Sequence, residues 1–241
     1  MATAILFFNE KEILVKDKSS GLDLFKPFKI GVYSKFTEDR IKHLIQEHVI
    51  QKGIDIEEIL FNANEGILIP NEIYNPEKKE AYFTLNYPEI GENKSIYDEK
   101  IDAINAHFIS TRFNWFIDFC SEHMPQTPMV NSSKKYLDKI LSNQKEKNDV
   151  HIVLKDNTFD LIKLQNQKLF SFNCIEYTTV TDVIYFLMAH LDKLPKKAKN
   201  IILYGTETQT KEAKTLFKKI KSLSEILLTT HTDKALIQFL S

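Results

Sequence analysis

Gly205 is the only glycine in the second half of the chain, and it directly follows the apolar run Ile201-Ile202-Leu203-Tyr204. An apolar strand that runs into a permissive turn marks a strand's carboxyl end, where open α/β sheets usually hold ligands. Other groups able to do chemistry are scattered. The histidines (His43, His48, His107, His123, His151, His190 and His231) show no HExxH or CxxC spacing with cysteines or carboxylates, so no metal site is expected. Cys120 and Cys174 sit in apolar surroundings without a local nucleophile motif and read as core thiols. No GxSxG, Walker A or Rossmann fingerprint occurs, which removes the common recognisable hydrolase, P-loop and dinucleotide readings. No catalytic residue is expected.

Charge gives one further feature. Between Lys193 and Lys221 stand nine lysines against two acids, Glu207 and Glu212. Lys211, Lys214, Lys218 and Lys221 share one helical stripe opposite Leu216, Phe217 and Ile220. Such a strip can dock nucleic acid or an acidic protein, but it contains no arginine for bidentate phosphate contacts, and a solvated face is the favoured reading. Arg40 and Arg112 are the only arginines beside thirty lysines, and glycine is scarce at six, as an A/T-rich coding sequence produces. A net charge of -1 gives no global electrostatic case for nucleic acid or acidic membranes. The composition, 43% hydrophobic and 27% charged over 241 residues, is that of a globular chain able to bury a core. No apolar run approaches the ~18 residues of a membrane span. The start lacks the pattern of a secretory signal, and unpaired thiols suit a reducing compartment, so a cytoplasmic protein is expected.

The elements that must position these residues follow from periodicity and turn chemistry. Ile5–Phe8 and Ile13–Val15 form a hairpin across Asn9-Glu10-Lys11-Glu12, with a third strand over Phe28–Tyr33. Thr37 caps a helix through Ile41, Leu44, Ile45 and Val49 that ends at Gly53. Strands are expected at Ile59–Phe61, Ile67–Ile69 and Ala81–Leu85, then a polar turn-prone stretch over residues 89–99, and a strand over Ala103–Ile109. Phe113–Cys120 reads as an aromatic helix, and Ser132 or Ser133 caps another through Ile140 and Leu141. The polar run Ser142–Asp149 is the best boundary, giving domains 1–148 and 149–241. The second half begins as a meander, Val150–Leu154, Phe159–Leu164 and Leu169–Ile175, with short turns. A helix starts after Thr179, with Asp182 completing a carboxylate capping box. Strand 201–204, a helix through Leu216 and Ile220, and strand 226–229 complete it. Three antiparallel strands, helix, strand, helix, strand is an RNase H-like order, and the first half opens the same way.

The segments LIPNEIY (Leu68–Tyr74) and AYFTLNY (Ala81–Tyr87), with FNCIEYTTVTDVIYFLMAHLDKLP…ILYG (Phe172–Gly205), resemble an uncharacterised bacterial family. It is known only as a domain of unknown function, typical of Bacteroidetes-type bacteria. The resemblance spans most of the chain. It implies an α/β, actin-like fold of two RNase H-like halves, with mixed sheets flanked by helices. It implies no activity and no functional residues. An actin-like ATPase needs an Asp and close-approaching glycines in each half's hairpin turn, plus a glycine turn against the adenosine. Here the first hairpin has Asn9 at the Asp-like position, no glycine, and the repelling acids Glu10 and Glu12. The second keeps Asp156 in Lys155-Asp156-Asn157-Thr158, again without glycine, and Gly205 alone stands at the adenosine turn.

The expectation is a non-enzymatic binding or scaffold protein with a degenerate nucleotide site, no cofactor and a protein partner. Two alternatives stay open. One is an ATPase with divergent loops that holds ATP and magnesium through Asn9, Asp156 and Gly205. The other is a nucleic-acid or acidic-partner binder using the lysine strip 193–221.

Overall fold

The computed structural model describes the chain except residues 1–2, 10–11, 31–33, 143–148, 156, 192–199, 221–222, 224–225, 233–238 and 241. Two compact units emerge: one holds Met1–Ile101 and Asn105–Lys135, the other Asp102–Ile104 and Tyr136–Leu240. In chain order the first elements are β1 (Thr3–Asn9), β2 (Glu12–Asp17), β3 (Phe28–Lys29), α1 (Lys35–Ile45) and β4 (Asp55–Asn62). There follow β5 (Gly66–Pro70), α2 (Lys79–Thr84), β6 (Lys94–Ile101), β7 (Ala106–Phe113), α3 (Asn114–His123), β8 (Met129–Asn131) and α4 (Ser132–Ser142). The second unit adds β9 (Asp149–Leu154), β10 (Thr158–Gln165), β11 (Lys168–Glu176), α5 (Val180–Leu191), β12 (Asn200–Tyr204), α6 (Glu207–Lys219) and β13 (Leu227–His231).

Each unit is built on a mixed five-stranded sheet with its first strand at the centre. The orders are β3-β2-β1-β4-β8 and β11-β10-β9-β12-β13. In both, the first strand pairs antiparallel with the second and parallel with the fourth. The shared third-second-first-fourth-fifth order makes each unit RNase H-like. A central strand is buried on both faces, so it reads as an unbroken apolar run; Ala4, Ile5, Leu6 and Phe8 of β1 are all buried. Phe8 anchors the first core. Its ring stacks on Phe116 at 4.0 Å and meets Phe61 at 5.6 Å and Trp115 at 5.7 Å. In the second unit, Ile152, Leu154, Phe159 and Leu203 of the sheet pack with Val183 and Leu187 of α5 and Ala213 and Phe217 of α6.

A three-stranded sheet, β5-β7-β6, is inserted between β4 and α3 of the first unit. The LIPNEIY segment closes it. Asn71 N–H donates to Asn105 O, the Tyr74 ring stacks on His107 at 3.8 Å, and the Tyr82 hydroxyl donates to Ile73 O.

Several expected elements differ in the structure. Ser34, not Thr37, caps α1, because its hydroxyl accepts the Thr37 N–H. Ala81–Leu85 is helical rather than a strand: Asn75 caps a helical turn at Pro76, and the chain continues into α2 with Phe83 as its one buried residue. The polar stretch 89–99 contains most of β6, which pairs with β7 from Lys94 to Ile101. At a sheet end, one edge faces away from any neighbour, so charge is tolerated there. Asn131 supplies the start of α4, accepting the Ser133 N–H at 2.8 Å in place of a serine cap. The third strand is confirmed only as Phe28–Lys29, with residues 31–33 outside the described ones. The α5 start is as expected, Asp182 accepting from the Thr178 and Thr179 N–H groups.

Gly66 opens β5 against the buried Phe108 ring of β7. A Cβ built there lands on the Phe108 ring, itself 1% exposed. Overpacking of this kind costs about 1–3 kcal/mol. Gly66→Ala therefore lowers the unfolding free energy of the purified chain by that amount, read in equilibrium unfolding as a lower urea midpoint with an unchanged m-value.

Candidate functional site

Carboxyl ends of parallel strands are the places to look in both sheets. In the second unit β12 runs from Tyr204 into Gly205, and Thr206 caps α6 in a full capping box with Gln209. Gly205 sits in a crowded turn. A Cβ would stand 3.1 Å from Leu154 Cβ and 3.3 Å from Gln209 Oε1. Gln209 also crosses to the neighbouring strand: its Nε2 donates to Lys155 O and to the Tyr177 hydroxyl, both at 2.9 Å. Tyr177 in turn donates its hydroxyl to the same Lys155 carbonyl. Turn and hairpin are thus stitched together by the protein's own side chains.

Lys155 turns inward. Its ammonium meets Asp160 Oδ1 at 2.8 Å, with the two side chains 3% and 0% exposed. Burial works to lower the Lys155 pKa, and the Asp160 carboxylate overcomes that and holds it above its ordinary value. This cation is spent inside the hairpin. Asn157 Oδ1 and Thr158 Oγ1 are buried with no hydrogen-bond partner among the described residues. The adjacent Asp156, an expected site residue, lies outside the described residues.

Three asparagines end the adjacent parallel strands of the first unit: Asn9 on β1, Asn62 on β4 and Asn131 on β8. Asn9 Oδ1 accepts the Glu12 N–H at 2.6 Å, so this expected site residue closes its own turn. Asn62 Oδ1 accepts the Ser132 hydroxyl at 2.8 Å. Asn131, fully buried, donates Nδ2 to Ser110 Oγ, and its backbone N–H is shared by the Glu99 carboxylate at 3.2 Å. Glu99 also binds Arg112 at 2.8 Å, whose guanidinium lies over the Tyr97 ring. Sequence reasoning missed Asn62, Glu99, Arg112 and Asn131. The one available signal was an arginine spent in a chain otherwise supplied with lysine. Asn9 and Gly205 belong to different units, and Glu10 and Lys11 lie outside the described residues.

Behind Gly205, Tyr204 is flanked by two imidazoles. His231 stacks on it at 5.1 Å and His151 at 5.9 Å, with His151 Nδ1 3.0 Å from the Tyr204 hydroxyl. Burial, then the neighbouring His231, pushes the His151 pKa down to about 4.

The remaining candidates stay structural. Cys120 and Cys174 are each pushed up to about 12, chiefly by burial, which leaves both as thiols. His190 Nδ1 lies 2.8 Å from Phe186 O in the preceding helical turn. Among the described residues no cluster of His, Cys, Asp or Glu can hold a metal, and no helix is long and apolar enough to cross a membrane. Lys211, Lys214 and Lys218 are exposed on α6 opposite Thr210, Ala213 and Phe217, while Lys193, Lys196, Lys197, Lys199 and Lys221 lie outside the described residues. An open groove of about 580 Å³ between α1 and α3 has Trp115 and Phe119 in its wall. In its wall Lys35 pairs with Glu38, and the His43 and His123 rings lie 3.6 and 3.8 Å from the Glu47 and Glu122 carboxylates.

Residues 25–223 match the model of a family described as protein of unknown function (DUF3822). The chain belongs to this family. No curated protein sequence matches it. Among solved structures, a Bacteroides thetaiotaomicron protein with an actin-like ATPase fold and unknown function superposes with a TM-score of 0.77 at 16% identity, covering 99% of this chain and 95% of the other. A chain of the PilM–PilN type IV pilus biogenesis complex superposes with a TM-score of 0.57 at 8% identity, covering 100% and 97%. These likenesses show the fold. This DUF3822 chain is actin-like, as its first-half and second-half sheets already indicate, and its family carries no assigned activity.

Two measurements check the site geometry. Removing one partner of a buried ion pair strands the other charge, at a cost of about 3–5 kcal/mol. Asp160→Ala therefore destabilises the chain by that amount in urea unfolding, and Lys155→Met with Asp160→Leu recovers most of the loss. The second concerns acid. The folded pKa of His151 lies below the unfolded value of 6.5, so its contribution is complete above pH 6.5 and is lost as pH falls to about 4. The loss is about 3 kcal/mol. His151→Gln, which cannot titrate, flattens that part of the stability–pH curve.

Proposed function

We propose that this chain is a binding or scaffold protein that does not use a nucleotide and carries out no catalysis. One observation carries the reading: the strand ends where an actin-like ATPase exposes backbone to phosphate and adenosine are occupied here by Asn9, Gln209, Tyr177 and Leu154. A phosphate cradle works through unhindered N–H groups. The Glu12 N–H is already given to Asn9, and the inward Lys155 is paired with Asp160. On this reading the halves 1–148 and 149–241 serve as recognition surfaces for a protein partner in the cytoplasm of a bacterium, without ATP or magnesium. The PilM–PilN complex supports this reading as a case in which a similar fold is found in an assembly. Nucleic acid is not the partner, since the net charge is -1 and the described lysines of α6 come with Glu207 and Glu212.

Calorimetric titration of the chain with ATP and magnesium tests it. No saturable heat is expected up to roughly 1 mM nucleotide, and a dissociation constant in the micromolar range overturns the proposal.

A further inference from the structure

Six strands end the three sheets among the described residues, and four are blunted against pairing with another chain. Strands β3 and β8 are two and three residues long, while β13 is unblunted but offers only five residues of ladder, against nine in β11. Strand β5 stops at Pro70 after five residues, and β6 carries Lys94, Asp98, Glu99 and Lys100. Shortness, proline and charge are the usual ways of blunting a sheet edge. Strand β11 has none of them. It runs for nine residues, Lys168–Glu176, and the seven between its ends, Leu-Phe-Ser-Phe-Asn-Cys-Ile, include no charge, proline or glycine. It pairs with β10 on one side and is terminal on the other. None of its residues is fully buried, and Phe170 is 45% exposed.

The charges sit only at its two ends, and they are opposite. Laid antiparallel on itself about Phe172, the strand puts each Lys168 against Glu176 of a second copy, with seven uncharged residues between. A parallel pairing sets Lys168 beside Lys168 and Glu176 beside Glu176, and like charges across a ladder repel. A bulge leaves Phe170 as the extra residue opposite Lys163–Leu164. It shifts Lys168 by one position, an offset that the flexible four-carbon stem absorbs. We propose that β11 is a homodimerisation edge: two copies pair antiparallel through it, joining two five-stranded sheets into one. The strand is matched to its own reverse.

Sedimentation equilibrium of the full chain, with hydrogen exchange at low and high concentration, tests this. A reversible dimer is expected within roughly 200 µM, with β11 amides gaining protection as concentration rises. Lys168→Glu faces Glu176 of the second copy in both contacts and weakens the dimer roughly tenfold or more. Glu176→Lys does the same, and the double reversal restores the original affinity. Both side chains are exposed, so circular dichroism of each variant should match the parent. A chain that stays monomeric to roughly 200 µM overturns the proposal. So does a dimer indifferent to the single reversals or not recovered by the double one. Protection of β11 in a monomeric chain by an added extended peptide assigns the edge to a different occupant, and likewise overturns it.

Discussion

Backbone N–H and C=O groups at a strand's carboxyl end lie beyond the ladder that would pair them, and each must find a partner. Which partner they find decides whether a strand end is a binding site or a seam. In this chain they find amide side chains. Asn9 takes the Glu12 N–H, Gln209 and Tyr177 take the Lys155 carbonyl, and Asn131 takes the Ser133 N–H. An amide can donate and accept at once, so one side chain satisfies a turn and ties it to a neighbouring strand. The arrangement turns that hydrogen-bonding capacity to internal cohesion.

That constraint explains why the two units share a topology and differ in chemistry. Both keep the first strand central and the fourth parallel beside it, because this buries the apolar faces of β1 and β9 on both sides. The strand ends carry no such requirement. The first unit closes them with a polar network running from Asn62 through Ser132 and Asn131 to Glu99 and Arg112, which also ties β6 and β7 of the inserted sheet to β8. The second closes them with a capping box, a buried ion pair and an aromatic stack on Tyr204. A half-satisfied buried network is more costly than none. Each closure is therefore a local solution, and neither can be copied piecemeal into the other.

Much of the fold was legible because its signals are local. The Phe170-Phe172-Cys174 alternation, the Thr179–Asp182 cap and the Ile201–Gly205 run each declare an element within a few residues. Ala81–Leu85 was misread because Tyr82 and Phe83 favour strands, while the deciding signal, Asn75 before Pro76, lies upstream. Strand β6 was hidden by charges that only its terminal place in a sheet makes harmless. The site was less legible. Asn9 and Gly205 were found by position in a turn, but the partner that closes each is read only from the fold. Gln209 reaches Lys155 across 54 positions, and Ser132 reaches Asn62 across 70, distances over which sequence spacing carries no message.

Glycine scarcity takes on a physical meaning in this light. A/T-rich coding can thin glycine everywhere, but it cannot choose where the survivors stand. Gly66 survives where the Phe108 ring leaves no room for a Cβ, and Gly205 where Leu154 and Gln209 crowd it. Gly53 survives with a φ of 60°, where the chain leaves the helical stretch after α1. Packing and backbone conformation account for all three positions. At the first hairpin an asparagine oxygen, Asn9 Oδ1, takes the Glu12 N–H. Selection for a phosphate cradle would have held glycine at the hairpins. On the proposed reading, selection acts instead on side chains that keep those hairpins shut, so Asn9 and Gln209 are the residues that the function needs fixed.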